Sequence, residues 1–256
     1  ETQASTYSLG VGNRSMLLGA EIQNPVCKED SIKLTFKATN LDGQPVSVEG
    51  NYKLYPVVGG AKSEEVMKGT PAYTGTFVSN KETLLPGWTS VPSGEYLLVM
   101  SAKDDQGREV TGEEEVILFS IKDKRPPVDK AIWYYAENTS FDAAHPAVFY
   151  FGTSKKDAYV MMNLFSGNRM LESKVLRLSD SIERFEYPYK ESYGNGLSAT
   201  FCFVKDGSVN QQTVRMTKRL PDKTLTMKWE VFRDKLRPGQ EEEWKLTVKT
   251  PQGMPA

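Results

Sequence analysis

The sequence predicts an all-β protein built as tandem antiparallel β-sandwiches. Apolar and polar residues alternate with period two in short runs, turn chemistry interrupts those runs at close intervals, and one strand-and-turn phrase recurs within the 256 residues. Ile32, Leu34, Phe36 and Ala38 alternate with Lys33, Thr35 and Lys37, the pattern of a half-buried strand. Leu225, Met227, Trp229 and Val231 repeat it, as do Trp244, Leu246 and Val248. The runs 96–100, 147–151, 159–164 and 200–204 are apolar on both sides and are expected as central strands of packed sheets. Trp229 and Trp244 are expected in a core. Leu41-Asp42-Gly43, Gly59-Gly60, Pro92-Ser93-Gly94, Asp105-Gln106-Gly107, Ser166-Gly167-Asn168 and Asp206-Gly207-Ser208 punctuate the runs. Such spacing describes sandwiches and not βαβ units. The best helix candidate, 179–185, is short and suits an irregular edge strand equally well.

Two charged, proline-bearing stretches, Lys122-Asp123-Lys124-Arg125-Pro126-Pro127 and Lys218-Arg219-Leu220-Pro221-Asp222-Lys223, read as linkers. They divide the chain into sandwiches at 1–123 and 124–221, and leave 222–256 as the first strands of a third domain. A lone hairpin is marginal in water, so an ordered tail is expected to lean on the second domain. Repetition supports this division. Pro25, Ile32-Lys33-Leu34-Thr35-Phe36-Lys37 and Gly43-Gln44-Pro45-Val46 are echoed by Pro238, Trp244-Lys245-Leu246-Thr247-Val248-Lys249 and Gly253-Met254-Pro255-Ala256. A vaguer middle copy runs from His145-Pro146 through 148–151 to Ser154-Lys155-Lys156-Asp157.

Composition narrows the function. With 32 basic against 33 acidic residues, the chain has no basic field to hold a phosphate backbone, which argues against nucleic acid. No apolar run approaches the roughly 18 residues of a membrane span. The start at Glu1-Thr2-Gln3, with neither initiator Met nor signal peptide, reads as an excised or mature form. Cys27 and Cys202 fall in different domains beside apolar strands and read as buried free thiols. So few cysteines favour a bacterial source over a secreted animal protein.

Catalytic readings find little support, and no cofactor or metal is expected. His145 is the only histidine, which rules out histidine clusters, and it sits in a turn with no nucleophile elbow nearby. Glu64-Glu65, Glu113-Glu114-Glu115 and Glu241-Glu242-Glu243 are adjacent carboxylates, which on a strand point to opposite faces and do not converge. They read as solvated edges. Asp104-Asp105-Gln106-Gly107 lacks the spaced ligands of a calcium loop and reads as a turn. Gly10-Val11-Gly12 and Gly194-Asn195-Gly196 lack the following helix and lysine of a phosphate cradle, and the second is expected as a tight turn. The most aromatic neighbourhood joins Tyr187, Tyr189 and Tyr193 with Trp133, Tyr134 and Tyr135. Core or domain-interface packing is one reading of it. The other is an interaction surface centred on Tyr187, Tyr189 and Tyr193.

The stretch 225–240, reading Leu-Thr-Met-Lys-Trp-Glu-Val-Phe-Arg-Asp-Lys-Leu-Arg-Pro-Gly-Gln, resembles a segment of bacterial alpha-2-macroglobulin-family proteins, and Glu243-Trp244-Lys245-Leu246 continues the likeness. Phe185-Glu186-Tyr187-Pro188-Tyr189-Lys190-Glu191 and Phe201-Cys202-Phe203-Val204-Lys205-Asp206-Gly207 resemble the preceding domain of that group. The resemblance is weakest over 1–123. It implies seven-stranded macroglobulin-like sandwiches and a scaffold role in an extracytoplasmic protein of the bacterial periplasm or surface. The partners it implies are the neighbouring domains of the same chain and, through the parent, proteases. Neither cysteine begins the family's C-x-E-Q thioester motif, and no bait segment is recognisable. Read without the resemblance, the same sandwiches suit a carbohydrate-binding or adhesive module of a larger surface protein.

Overall fold

The computed structural model describes residues 15–220, 224–231, 239, 241, 243–251 and 253–255. The expectations placed on Gly10-Val11-Gly12, Pro221-Asp222-Lys223, Glu242 and the Pro238 turn lie outside the described residues.

The first unit runs through β1 (Met16–Glu21), β2 (Val26–Cys27), β3 (Lys33–Asn40), β4 (Glu49–Pro56), a helical turn α1 (Ser63–Val66), β5 (Tyr73–Val78), β6 (Glu82–Leu84), β7 (Gly94–Lys103) and β8 (Glu109–Phe119). These strands form two sheets, β1-β3-β6 and β2-β8-β7-β4-β5. Between them lie the inward residues of the predicted alternation, Leu34, Phe36 and Ala38 from β3 and Tyr96, Leu98 and Met100 from β7. Phe36 stacks on Phe77 at 4.2 Å and on Tyr52 at 5.1 Å, and Trp88 meets Tyr52 edge-on. Pairs of this kind add about 0.5–1.5 kcal/mol beyond their burial. Where β1 crosses β8, a Cβ on Gly112 would stand 2.4 Å from the Leu18 carbonyl oxygen, so only glycine admits the crossing.

Asp104 organises the β7–β8 turn. Its carboxylate accepts from the backbone N–H of Gln106 and Arg108, from the Arg108 guanidinium and from the Ser15 hydroxyl, all within 3.0 Å. Only 1% of the side chain is exposed. Burial alone pushes the pKa up, but these donors outweigh it and bring it down to about 2.

The second unit comprises β9 (Trp133–Asn138), β10 (Ser140–Phe141), β11 (Ala147–Thr153), β12 (Ala158–Ser166), β13 (Arg169–Leu178), β14 (Ser181–Tyr187), β15 (Gly196–Lys205) and β16 (Ser208–Lys218). Its sheets are β9-β11-β14 and β10-β16-β15-β12-β13. Taken in chain order, this is the topology of the first unit strand for strand. In each unit a two-residue strand passes to the second sheet and pairs in parallel with the last strand. If that short strand counts as the continuation of the first, each sandwich has seven strands. Phe201, fully buried, packs on Phe151 at 4.1 Å, Phe185 at 5.3 Å and Phe149 at 6.0 Å.

The tail holds β17 (Thr226–Val231) and β18 (Lys245–Lys249), which pair antiparallel in a sheet of their own. The turn after β18 copies the turn after β3. Asn40 N–H donates to Gln44 and Gly43 N–H to Asn40, just as Thr250 N–H donates to Met254 and Gly253 N–H to Thr250. Gly43 and Gly253 have φ of 78° and 79°, and Thr39 bridges Pro45 as Lys249 bridges Pro255. The hydrogen bonds therefore align Leu34 with Trp244 and Phe36 with Leu246. The sequence phrase had aligned Leu34 with Leu246, two residues away but on the same face of the strand.

Several expectations need correction. Of residues 179–185, expected as a short helix or an irregular edge strand, 181–185 fall in β14, an edge strand alongside β11, so the strand alternative holds and the helix does not. Glu64 and Glu65 lie on α1 and not on a strand edge. The runs 159–164 and 200–204 form inner strands as expected, but only alternate residues are buried, since the outer face of that sheet is open. The run 147–151 is buried on both sides, and so is 96–98, where Leu97 lies under the cover of Val66. Trp229 and Trp244, expected in a core, are each 51% exposed and meet edge-on at 5.9 Å. Among the described residues the hairpin forms no ladder with the second sandwich.

Two outcomes follow from these contacts. Phe201→Ala is expected to cost about 3–5 kcal/mol in chemical denaturation of the second sandwich, since its three ring neighbours cannot close the void. Because folding lowers the Asp104 pKa, the stability it contributes is complete above the ordinary carboxylate range. It fades as pH falls from about 4 to about 2. Denaturant midpoints measured across that range should lose this dependence in Asp104→Asn.

Candidate functional site

Two aromatic groupings mark the ends of the second sandwich. The first is the joint between the sandwiches. Phe119, the last residue of β8, faces outward at the rim of its sheet and meets Tyr135 edge-on at 4.5 Å and Trp133 at 5.3 Å. Cys27 and Val128 complete the buried cluster, with Ile117, Ile121 and Ile182 packed around it. Polar contacts hold the chain that crosses the joint. Glu29 accepts from the Ser120 hydroxyl at 2.5 Å and from the Ile121 N–H at 3.1 Å. Ser120 N–H donates to Asp123, Ile182 N–H donates to the Lys124 carbonyl, and the Tyr135 hydroxyl reaches Asp30 at 3.4 Å. Arg125 pairs with Asp180 at 3.4 Å.

Burial works to raise the Glu29 pKa, and the donors from Ser120, Ile121 and Cys27 outweigh it and lower it. Burial also pushes the Cys27 thiol up, so this buried free cysteine is held as a thiol. The Tyr135 hydroxyl is raised by burial and by the neighbouring Cys27 and Asp30.

The second grouping closes the far end. Here the structure brings together Tyr187, Tyr189 and Tyr193, each half-buried against the core. Tyr187 stacks on Phe149 at 6.1 Å, while Phe141 takes Tyr189 edge-on at 5.5 Å and Tyr193 stacked at 6.4 Å. Burial, with Glu172 and Tyr193 nearby, raises the Tyr187 hydroxyl. Lys218 lies 5.2 Å over the Tyr189 ring and Lys190 5.7 Å over Tyr193, so cations cap the rings that reach the surface. Trp133 and Tyr135 are not part of this group but of the joint, and Tyr134 packs toward the core against Phe149.

His145 stands beside this end in an exposed turn, with its Nδ1 2.8 Å from Asp142, which also lies 3.7 Å from Arg219. The His145 contact chiefly holds the Asp142 carboxyl below its usual range. β8 turns Glu113 and Glu115 outward and Glu114 to the opposite face, so the three do not converge. Among the described residues no group of three or more His, Cys, Asp or Glu side chains is placed to hold a metal ion. No described helix is long and apolar enough to cross a membrane. What the two ends offer is ring faces and hydrogen-bonding edges, the equipment of contact.

No family model and no curated protein matches the sequence. Among solved structures, the chain is similar to the native conformation of E. coli alpha-2-macroglobulin, at 14% identity and a TM-score of 0.32, over 93% of this chain and 18% of the macroglobulin. It is also similar to the BSP domain of a biofilm-associated protein, at 13% identity and a TM-score of 0.26, over 80% of this chain and 30% of that one. The chain therefore spans about a fifth of the length of the macroglobulin. Similarity at these scores carries no argument about kinship or role.

The sequence grouped Trp133 and Tyr135 with the wrong aromatics and passed over Phe119 and Glu29. The available signal was positional. Phe119 is the outward apolar residue at the last step of a strand, three residues before a charged linker. Folding lowers the Glu29 pKa, so its hold on the linker is complete above the usual carboxylate range and is lost as pH falls through the folded value. Backbone relaxation measurements should show the two sandwiches tumbling together at neutral pH and more loosely coupled in acid, where the Phe119 packing alone remains. In Glu29→Gln they should show looser coupling that no longer varies with pH.

Proposed function

We propose that this chain is a non-catalytic structural and interaction segment of a bacterial alpha-2-macroglobulin-like protein of the cell envelope. In this reading the first two sandwiches end near residues 123 and 221, and 222–256 opens a third of the same kind. Its role is mechanical. Sandwiches of one topology, fixed at an angle by short packed joints, shape the wall that encloses a protease after the parent is cut. The observation that carries this reading is the joint. A linker with Phe119, Trp133 and Tyr135 interlocked and Glu29 holding its backbone transmits force, where a flexible tether would not. The resemblance of 225–240 and 185–191 to the family supports the assignment of parent. The repeated turn at Gly43 and Gly253 supports the tandem.

An adhesive or carbohydrate-binding role needs a flat, open aromatic platform. Tyr187, Tyr189 and Tyr193 instead lie half in the core beneath Lys190 and Lys218, which favours the scaffold reading.

The test uses the full-length parent with a panel of proteases, followed on native and denaturing gels. Cleavage at one susceptible segment, faster migration and retained protease are expected. Introducing Phe119→Ala with Trp133→Ala should leave the cleavage intact and reduce the compaction and the retention. A parent that is cut at many sites, or not cut, and retains no protease would sink the proposal.

A further inference from the structure

One end of the outer face of the second sandwich's larger sheet carries an apolar patch that no described segment covers. On β12, Tyr159 and Met161 point away from the core, and Met161 sits between Val175 of β13 and Cys202 of β15. Two residues further along β15, Val204 pairs with Val209 of β16. Exposure of the five large side chains runs from 50% at Met161 to 71% at Val209. Scattered apolar residues on a surface need no explanation, but a patch continuous across four strands does.

The first sandwich solves the same problem within its own sequence. Between β4 and β5, residues 57–69 fold back with α1, and Val66 covers Tyr55 and Leu97 on the outer face. In the second sandwich β12 and β13 are joined by the turn Gly167-Asn168, which covers nothing. Among the described residues, no segment covers this patch.

Charge indicates what fits. Arg177 lies 5.8 Å over the Tyr159 ring and pairs with Asp157, and Lys156 and Lys205 act on the same carboxylate. Arg215 faces outward on β16. The rim thus has four cations against Asp157 and the nearby Asp206. Residues 124–220 hold 14 basic and 10 acidic side chains, whereas residues 15–123 hold 10 basic and 16 acidic. Part of that acid lies on the first sandwich's outer face, where β8 presents Glu109, Glu113 and Glu115 beside Lys53 of β4 and Lys103 of β7. Glu115 lies opposite Leu97, beneath Val66, and an apolar cleft of about 300 Å³ opens beside α1 between Val58, Ala61 and Val66.

We propose that the Tyr159–Met161 face of the second sandwich docks on the acidic outer face of the first sandwich of a second copy of this chain. The two faces differ, so the contact is head-to-tail and each docked pair leaves one free face of each kind. Opposite charge around the apolar centres sets orientation and speeds encounter, and makes the contact sensitive to salt.

Sedimentation velocity of the 256-residue chain over a concentration series tests this. The weight-average sedimentation coefficient should rise with concentration, about tenfold less readily when salt goes from about 0.05 M to about 0.5 M. Met161→Lys with Val204→Lys should sediment as monomer, and so should Glu113→Lys with Glu115→Lys on the other sandwich. An equimolar mixture of the two variants keeps one working face of each kind and should form a complex that stops at two chains. Thermal melts confirm that both variants fold. A wild-type chain that is monomeric throughout at low salt overturns the proposal. So does association that both variants retain, or a mixture that stays monomeric. None of these outcomes touches the scaffold reading, which is decided by protease retention.

Discussion

Phe119 ends the last strand of the first sandwich, yet its ring lies between Trp133 and Tyr135 of the second. The position of everything downstream follows from that insertion. A strand that leaves its sheet with a buried aromatic cannot swing without exposing it, and exposing a ring of this size costs on the order of 1.5–3 kcal/mol. The polar contacts add direction to the packing. Glu29 accepts two hydrogen bonds from the linker, and the Lys124 carbonyl accepts one from β14, so the backbone between the sandwiches is held at both ends. A joint of this kind differs from a tether because its geometry is part of the fold.

A second constraint is that a sheet has two faces and a sandwich buries only one of each. The first unit adds a cover in the segment 57–69, the second leaves its outer face bare, and the tail has only two described strands with apolar side chains on view. The cores need little further explanation. Phe36 of β3 and Phe149 of β11 occupy matching layers because the strands bearing them follow one topology. Differences between the units lie in what was added outside that common frame.

This explains what was readable in the sequence and what was not. Alternation on 32–38 and 244–248 identifies strands and the residues sharing a face, and the turn chemistry at Gly43 and Gly253 locates their ends. Both are local, carried by backbone sterics and side-chain period. Whether a face is covered is not local. Residues 159–164 read as apolar on both sides, and nothing within that run says that the sheet would stand open over Tyr159 and Met161. The tyrosines at 187, 189 and 193 were grouped correctly because one short stretch carries them. Trp133 and Tyr135 were grouped wrongly because their partner, Phe119, comes from the other side of a linker.

Trp229 and Trp244 show the same limit most sharply. Each stands on the apolar side of an alternating strand, and the hydrogen bonds of the following turn put Trp244 where Leu34 stands in the first sandwich. Leu34 is buried because the β2-β8-β7-β4-β5 sheet lies over it. Trp244 has the same backbone frame and the same facing, but β17 and β18 form a sheet by themselves. Periodicity therefore specifies a face as one for burial without specifying the layer that buries it. The layer comes largely from strands distant in sequence, and for β3 four of the five strands that supply it, β4, β5, β7 and β8, follow it.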